Sequence, residues 1–192
     1  KKLIEIFRKT IFVQLKNIAH NLLIIITNNK ITRLDYTGKQ VTAHILTAKL
    51  FDFGCIFSRG LHSVSSVMIS NELVFNNDKQ MKKRLFFWSN VIGVSQLLLF
   101  LNIKFILPFF TSDIIVIDQC KKLTYILSLI GYSGCLLNTM DGIMQGYQKF
   151  TTQAIITTFS LFIMICLMIY SQSLLHIWSS YFIISLIRIF LM

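Results

Sequence analysis

The chain of 192 residues is 54% hydrophobic and only 14% charged, with 17 Phe and a single Pro, and its mean hydropathy of +0.65 excludes an ordinary soluble domain. Its formal net charge is +11, from 19 Lys and Arg against 8 Asp and Glu. A soluble protein with that balance would point to nucleic acid, but these cations gather between apolar runs, in KKLIEIFRK (1–9) and NNDKQMKKR (76–84). They mark the flanks of membrane spans, and no nucleic-acid partner is expected.

Six spans follow in chain order. The first, about 9–32, is amphipathic and carries Lys16, Asn17, His20 and Asn21 ahead of the apolar LLIIIT. The second, about 41–75, holds Lys49, Asp52, Arg59 and His62, and the spacing puts Lys49, Asp52 and Arg59 on one helix face, placed to pair internally. The other four, about 85–110, 121–146, 151–171 and 174–192, include runs such as IGVSQLLLFLNIKFILPFF (92–110) and AIITTFSLFIMICLMIY (154–170). Those approach the roughly 20 apolar residues that cross a hydrocarbon core. Turn formers collect between the spans, in LDYTGKQ (34–40), NNDKQ (76–80) and TSDIIVIDQ (111–119), and Pro108 closes the third span where it costs little. Helices satisfy every backbone group in lipid, so the expected fold class is all-α: one unit over 1–192, a polytopic bundle of six transmembrane helices.

Orientation follows from the basic flanks. With the N-terminus inside, nine cations fall on inner flanks (Lys1, Lys2, Arg8, Lys9, Lys79, Lys82, Lys83, Arg84, Lys149) and five on outer ones (Lys30, Arg33, Lys39, Lys121, Lys122). This bias places both termini in the cytoplasm. The chain has no initiator Met and no signal peptide, which reads as a fragment or a processed piece.

The chemistry concentrates in NTMDGIMQGYQKF (138–150). At 100° per residue, Gly134, Asn138, Asp141, Gln145 and Gln148 fall along one helix face. An ionisable residue inside a membrane is costly and by default marks a functional site. The bland reading is that Asp141, near the inner end of its helix, serves packing at the membrane boundary. Gly142 and Gly146 form a GxxxG, which marks close helix approach. Cys55, Cys120, Cys135 and Cys166 have no CxxC or paired spacing, and His20, His44, His62 and His176 have no HxxxH, so neither disulfide nor metal site is implied. His44 and His62 are weak candidates for relaying protons. Neither a Gly-rich phosphate loop nor a triad spacing is present, so no enzyme is expected.

Several stretches, taken in order, resemble one family. They are VTAH (41–44), SNELVFNND (70–78), FTSDIIV (110–116), DGIMQGYQKF (141–150) and IWSSYFIISLIRIF (177–190), the last with a Trp and a late Arg. Together they resemble the carboxy-terminal six-helix lobe of the multidrug and toxic compound extrusion (MATE) transporters, in the branch shared by bacterial DNA-damage-inducible members and plant plastid or vacuolar members. The resemblance implies a proton- or sodium-coupled antiporter exporting organic solutes or drugs through a cleft between two lobes. It supplies no cofactor beyond the coupling ion. Asp141 matches the family's tenth-helix aspartate, with Gly142, Gly146 and Phe150 as its companions, and is the implied coupling residue. Asn138, Gln145 and Gly134, with His20 and Asp52, are the candidates for lining the cleft. The first span holds no Asp or Glu after Glu5, so the family's seventh-helix carboxylates have no counterpart. The implied partners are the lipid bilayer, a small organic solute and an amino-terminal six-helix lobe not contained in this sequence. A lipid-linked-sugar flippase of the same superfamily, or a non-transporting scaffold or degenerate remnant, stands as the alternative. Plasma membrane, plastid and vacuole all remain open.

Overall fold

The computed structural model describes the backbone at residues 2–35, 37–75 and 77–192. It is all-α: α1 (Lys2–Leu34), α2 (Lys39–Gly54), α3 (Ile56–Glu72), α4 (Asp78–Leu101), α5 (Ile114–Gly146), α6 (Phe150–Tyr170) and α7 (Leu174–Leu191), with short 3₁₀ turns at Ile103–Phe105 and Leu107–Phe109. Among the described residues there is no strand. Thr10–Leu34 of α1, and α4, α6 and α7, are each long and apolar enough to cross a membrane, and the bent α2–α3 pair adds a fifth span if taken as one. The exterior is correspondingly greasy, with Phe57, Val74, Phe109 and Phe190 almost bare. Such a surface is stable only against lipid or another apolar face.

The element ends have local causes. Gly38 sits at the α2 N-cap with φ of 75° and offers no side-chain cap. Asp35 takes over that task, accepting from the Thr37 amide (3.0 Å), the Thr37 hydroxyl (2.9 Å) and the Val41 amide (3.0 Å). Burial raises the affinity of this carboxyl for a proton, but these hydrogen bonds outweigh it and the pKa falls below 3.8.

The second span is not one helix. It bends by 45° at Cys55, between α2 and α3. Two carbonyls freed by the bend are taken up: Gln96 Nε2 donates to Gly54 O at 3.2 Å, and the Arg59 guanidinium donates to Asp52 O. Ser58 Oγ adds a bond of 2.9 Å to Cys55 O, which also accepts from the Arg59 amide at 3.1 Å. Broken backbone at membrane depth is tolerated when buried protein groups satisfy it. Phe100, fully buried, fills the elbow and stacks on Phe51 at 5.2 Å. Its ring needs bare backbone on both sides, since a Cβ on Gly54 or Gly131 would lie 2.6 Å from it.

The third and fourth spans differ from their expected limits. α4 stops at Leu101, where Asn102 Nδ2 donates back to Leu98 O at 2.8 Å, and Pro108 lies in a 3₁₀ turn and not in the helix. α5 starts at Ile114 and not near 121, because Asp113 caps it by accepting from the Ile115 amide at 2.9 Å. That bond draws the Asp113 carboxyl below its usual pKa, with Lys39 at 3.3 Å assisting.

α5 is the central post. Its 33 residues, about 50 Å of helix, pack on α4, α3, α7 and α2, and 17 of them are buried. α6 leans instead on α1 and α7. A larger apolar cluster around Phe100, Leu123, Leu127, Met164 and Ile177 ties the half of the bundle nearer the α1–α2 turn. A smaller one, Leu61, Ile69, Met81, Leu85, Cys135 and Ile143, ties α3, α4 and α5 at the other end.

Candidate functional site

Asp141 lies on α5, about a turn before its C-terminal end, and is 5% exposed. Two later helices converge on its carboxylate. From α6, Gln153 Nε2 donates to Oδ1 at 2.7 Å. From α7, one terminal guanidinium nitrogen of Arg188 reaches both oxygens, at 3.0 Å to Oδ2 and 3.3 Å to Oδ1. That same nitrogen lies 3.4 Å from Thr157 Oγ1. Gln145 Nε2 in turn donates to Gln153 Oε1 at 3.4 Å. The result is a buried polar network joining α5, α6 and α7. The Arg188 grip is one-sided: its Nε is buried yet makes no hydrogen bond among the described residues, so this is not the two-pronged fork that a guanidinium can offer a carboxylate.

The expected polar stripe divides at this point. Asn138 does not join Asp141 but donates from Nδ2 to Ser58 Oγ of α3 at 3.2 Å. Gln148 leaves the helix altogether and adopts φ of 59° in the α5–α6 turn. Gly134 is half-buried, and a Cβ there would meet nothing within 4 Å. Gly142 and Gly146 face α3, where a Cβ would fall 2.3 Å from His62 O and 2.7 Å from Ile69 Cβ respectively. The two glycines let α3 approach α5 backbone to backbone. Asp52 is at the surface, 3.3 Å from Arg59 across the bend, and Lys49 is exposed beside it. The side chain of His20 lies outside the described residues.

A second polar cluster sits in the other half of the bundle. His44 Nε2 is 3.2 Å from Asn28 Oδ1, its ring is 5.6 Å from that of Trp178, and Tyr181 OH meets Thr27 Oγ1 at 2.7 Å. It links α1, α2 and α7 and does not communicate with Asp141 through any described hydrogen bond.

Sequence reasoning did not assign Gln153 or Arg188 to the site. Both signals were present, a lone cation in the apolar IISLIRIF and a glutamine in the first turn of α6. Neither spacing names its partner, because Arg188 and Asp141 are 47 residues apart.

Helices with apolar exteriors, wrapped around a central helix that carries a buried ion pair, define a polytopic membrane protein. A family model described as MatE matches residues 13–171, and the chain belongs to that family, whose members are transporters. No curated protein and no solved structure shows a significant match to it.

Proposed function

We propose that the chain is a six-helix lobe of a cation-coupled antiporter, in which proton or sodium entry drives export of an organic solute through a cleft completed by a second lobe. In this arrangement α1, the bent α2–α3 pair, α4, α5, α6 and α7 make six crossings, with both termini in the cytoplasm, and the resemblance of DGIMQGYQKF favours the DNA-damage-inducible and plant plastid branch.

The observation that carries this reading is the Asp141–Arg188 pair, with side chains 7% and 16% exposed. A carboxylate at such a site is expensive, and intramembrane acids of this kind serve ion pathways. A proton or a sodium ion arriving at Asp141 competes with Arg188 for the same two oxygens. Neutralising the carboxylate frees the guanidinium, which stands within a turn of the end of α7 and has the length to reach the membrane boundary. α6 and α7 then lose a polar tie to α5, while α5 keeps its packing on α3 and α4. The pair thus acts as a two-state element that the coupling ion biases.

The test is linkage in the parent protein containing both lobes. Affinity for a fluorescent organic cation is measured while sodium or proton concentration is varied. Wild type should bind the solute more weakly as the coupling ion rises, and Asp141→Asn should be insensitive. An unchanged dependence in Asp141→Asn would sink the coupling role and leave Asp141 as a packing group.

A further inference from the structure

The end of the bundle where α4 and α6 begin and α5 ends carries Lys79, Lys82, Lys83, Arg84 and Lys149 against Glu72 and Asp78. A cavity of about 410 Å³ opens there, between α4, the last turns of α5, the α5–α6 turn and the start of α6, with Met192 at the end of α7 closing one side. Its floor is apolar, formed by Phe86, Ile143 and Met144. Its rim is cationic and aromatic: Lys82 Nζ lies 4.5 Å and Lys149 Nζ 5.8 Å from the centre of the Tyr147 ring. Asp78 answers part of that charge, at 3.4 Å from Lys82 and in a hydrogen bond from the Tyr147 hydroxyl. Lys149 has no acid within ion-pair distance among the described residues, and the first turn of α6, which carries Thr152 into the rim, has no side-chain cap. Two ammonium groups, unclaimed amides at the positive end of a 21-residue helix and an apolar floor are the complement of a phosphate carried on a hydrocarbon body. Phe87 and Trp88, about a turn deeper on α4 and both largely exposed, set the boundary level at which phospholipid headgroups lie.

We propose that this cavity is a binding site for an anionic phospholipid, its phosphate between Lys82 and Lys149 and its glycerol and upper acyl carbons on Phe86, Ile143 and Met144. Bound there, the lipid bridges α4 to the start of α6, two helices that otherwise pack mainly on different neighbours. The proposal does not rest on the transport reading, so the test reads binding alone.

The chain, purified in a neutral detergent, is titrated with mixed micelles of phosphatidylglycerol, with mixed micelles of phosphatidylcholine, and with inorganic phosphate, and bound lipid is counted by native mass spectrometry. Phosphatidylglycerol should bind as a discrete adduct that phosphate does not displace, with phosphatidylcholine much weaker. Lys149→Gln should weaken phosphatidylglycerol about fivefold, the worth of one lysine near a charged headgroup, while Lys79→Gln, an exposed cation at the same end that does not line the cavity, leaves it unchanged. Circular dichroism checks that both variants keep wild-type helix content. Equal loss in the two variants would reduce the effect to diffuse surface attraction, and equal binding of phosphatidylcholine or displacement by free phosphate would likewise overturn the proposal.

Discussion

Removing the guanidinium at position 188 while leaving Asp141 in place isolates the ion pair. Arg188→Met retains much of the side-chain length but deprives a carboxylate that is 5% exposed of its guanidinium, and breaking a buried pair from one side costs about 3–5 kcal/mol. Asp141→Asn is milder. The amide oxygen still accepts from Gln153 and Arg188, so charge-assisted bonds become neutral ones, at a cost of roughly 1–2 kcal/mol. The double variant removes both charges of the pair together and should be more stable than the sum of the single costs by about 1–3 kcal/mol. Reversible unfolding in mixed detergent micelles, followed by circular dichroism, measures all four proteins. Strict additivity, or a loss below about 1 kcal/mol in Arg188→Met, would refute the claim that these groups form a buried pair.

Glycine substitutions separate close approach from open space. Gly142→Ala places a methyl 2.3 Å from His62 O and should cost about 1–3 kcal/mol by forcing α3 from α5, whereas Gly134→Ala, with nothing within 4 Å, should stay within about 0.5 kcal/mol; thermal unfolding distinguishes them. Phe100→Ala empties the elbow between Gly54 and Gly131 and should cost about 3–5 kcal/mol in the same assay. Asp35 and Asp113 both have pKa values held below the usual 3.8. Their contribution is therefore full above that pH and is lost as pH falls through their lower folded values. An acid titration should show wild type losing stability there, with a smaller loss in Asp35→Asn/Asp113→Asn.

The helices most legible in the sequence were those whose composition needs no partner. α6 and α7 are long runs almost free of charge, and their observed limits lie within a residue or two of the expected ones. The start of α5 was hidden because TSDIIVIDQ is rich in turn formers. Asp113, which reads as a loop residue, is the cap that lets the helix begin, and Asp118 pairs with Lys122 at 2.7 Å inside its first turns. The bend at Cys55 is written only in part by Gly54, since Phe100 and Gln96, which fill and satisfy it, come from more than forty positions away. The site divides in the same manner. Asp141 was visible as an acid out of place, and Gly142 and Gly146 as a close-packing motif, because each is a local anomaly. Arg188, Gln153 and Ser58 were not, since a helical period states which face a side chain takes and not which helix will cover it.

The coupling role proposed for Asp141 requires that gradient-driven transport fail without its carboxylate. The direct measurement is efflux from proteoliposomes holding the two-lobed parent protein, wild type against Asp141→Asn, under an imposed proton or sodium gradient and with solute exchange at zero gradient as the internal control. Asp141→Asn should lose gradient-driven flux and keep exchange. Gradient-driven flux equal to wild type would contradict that role.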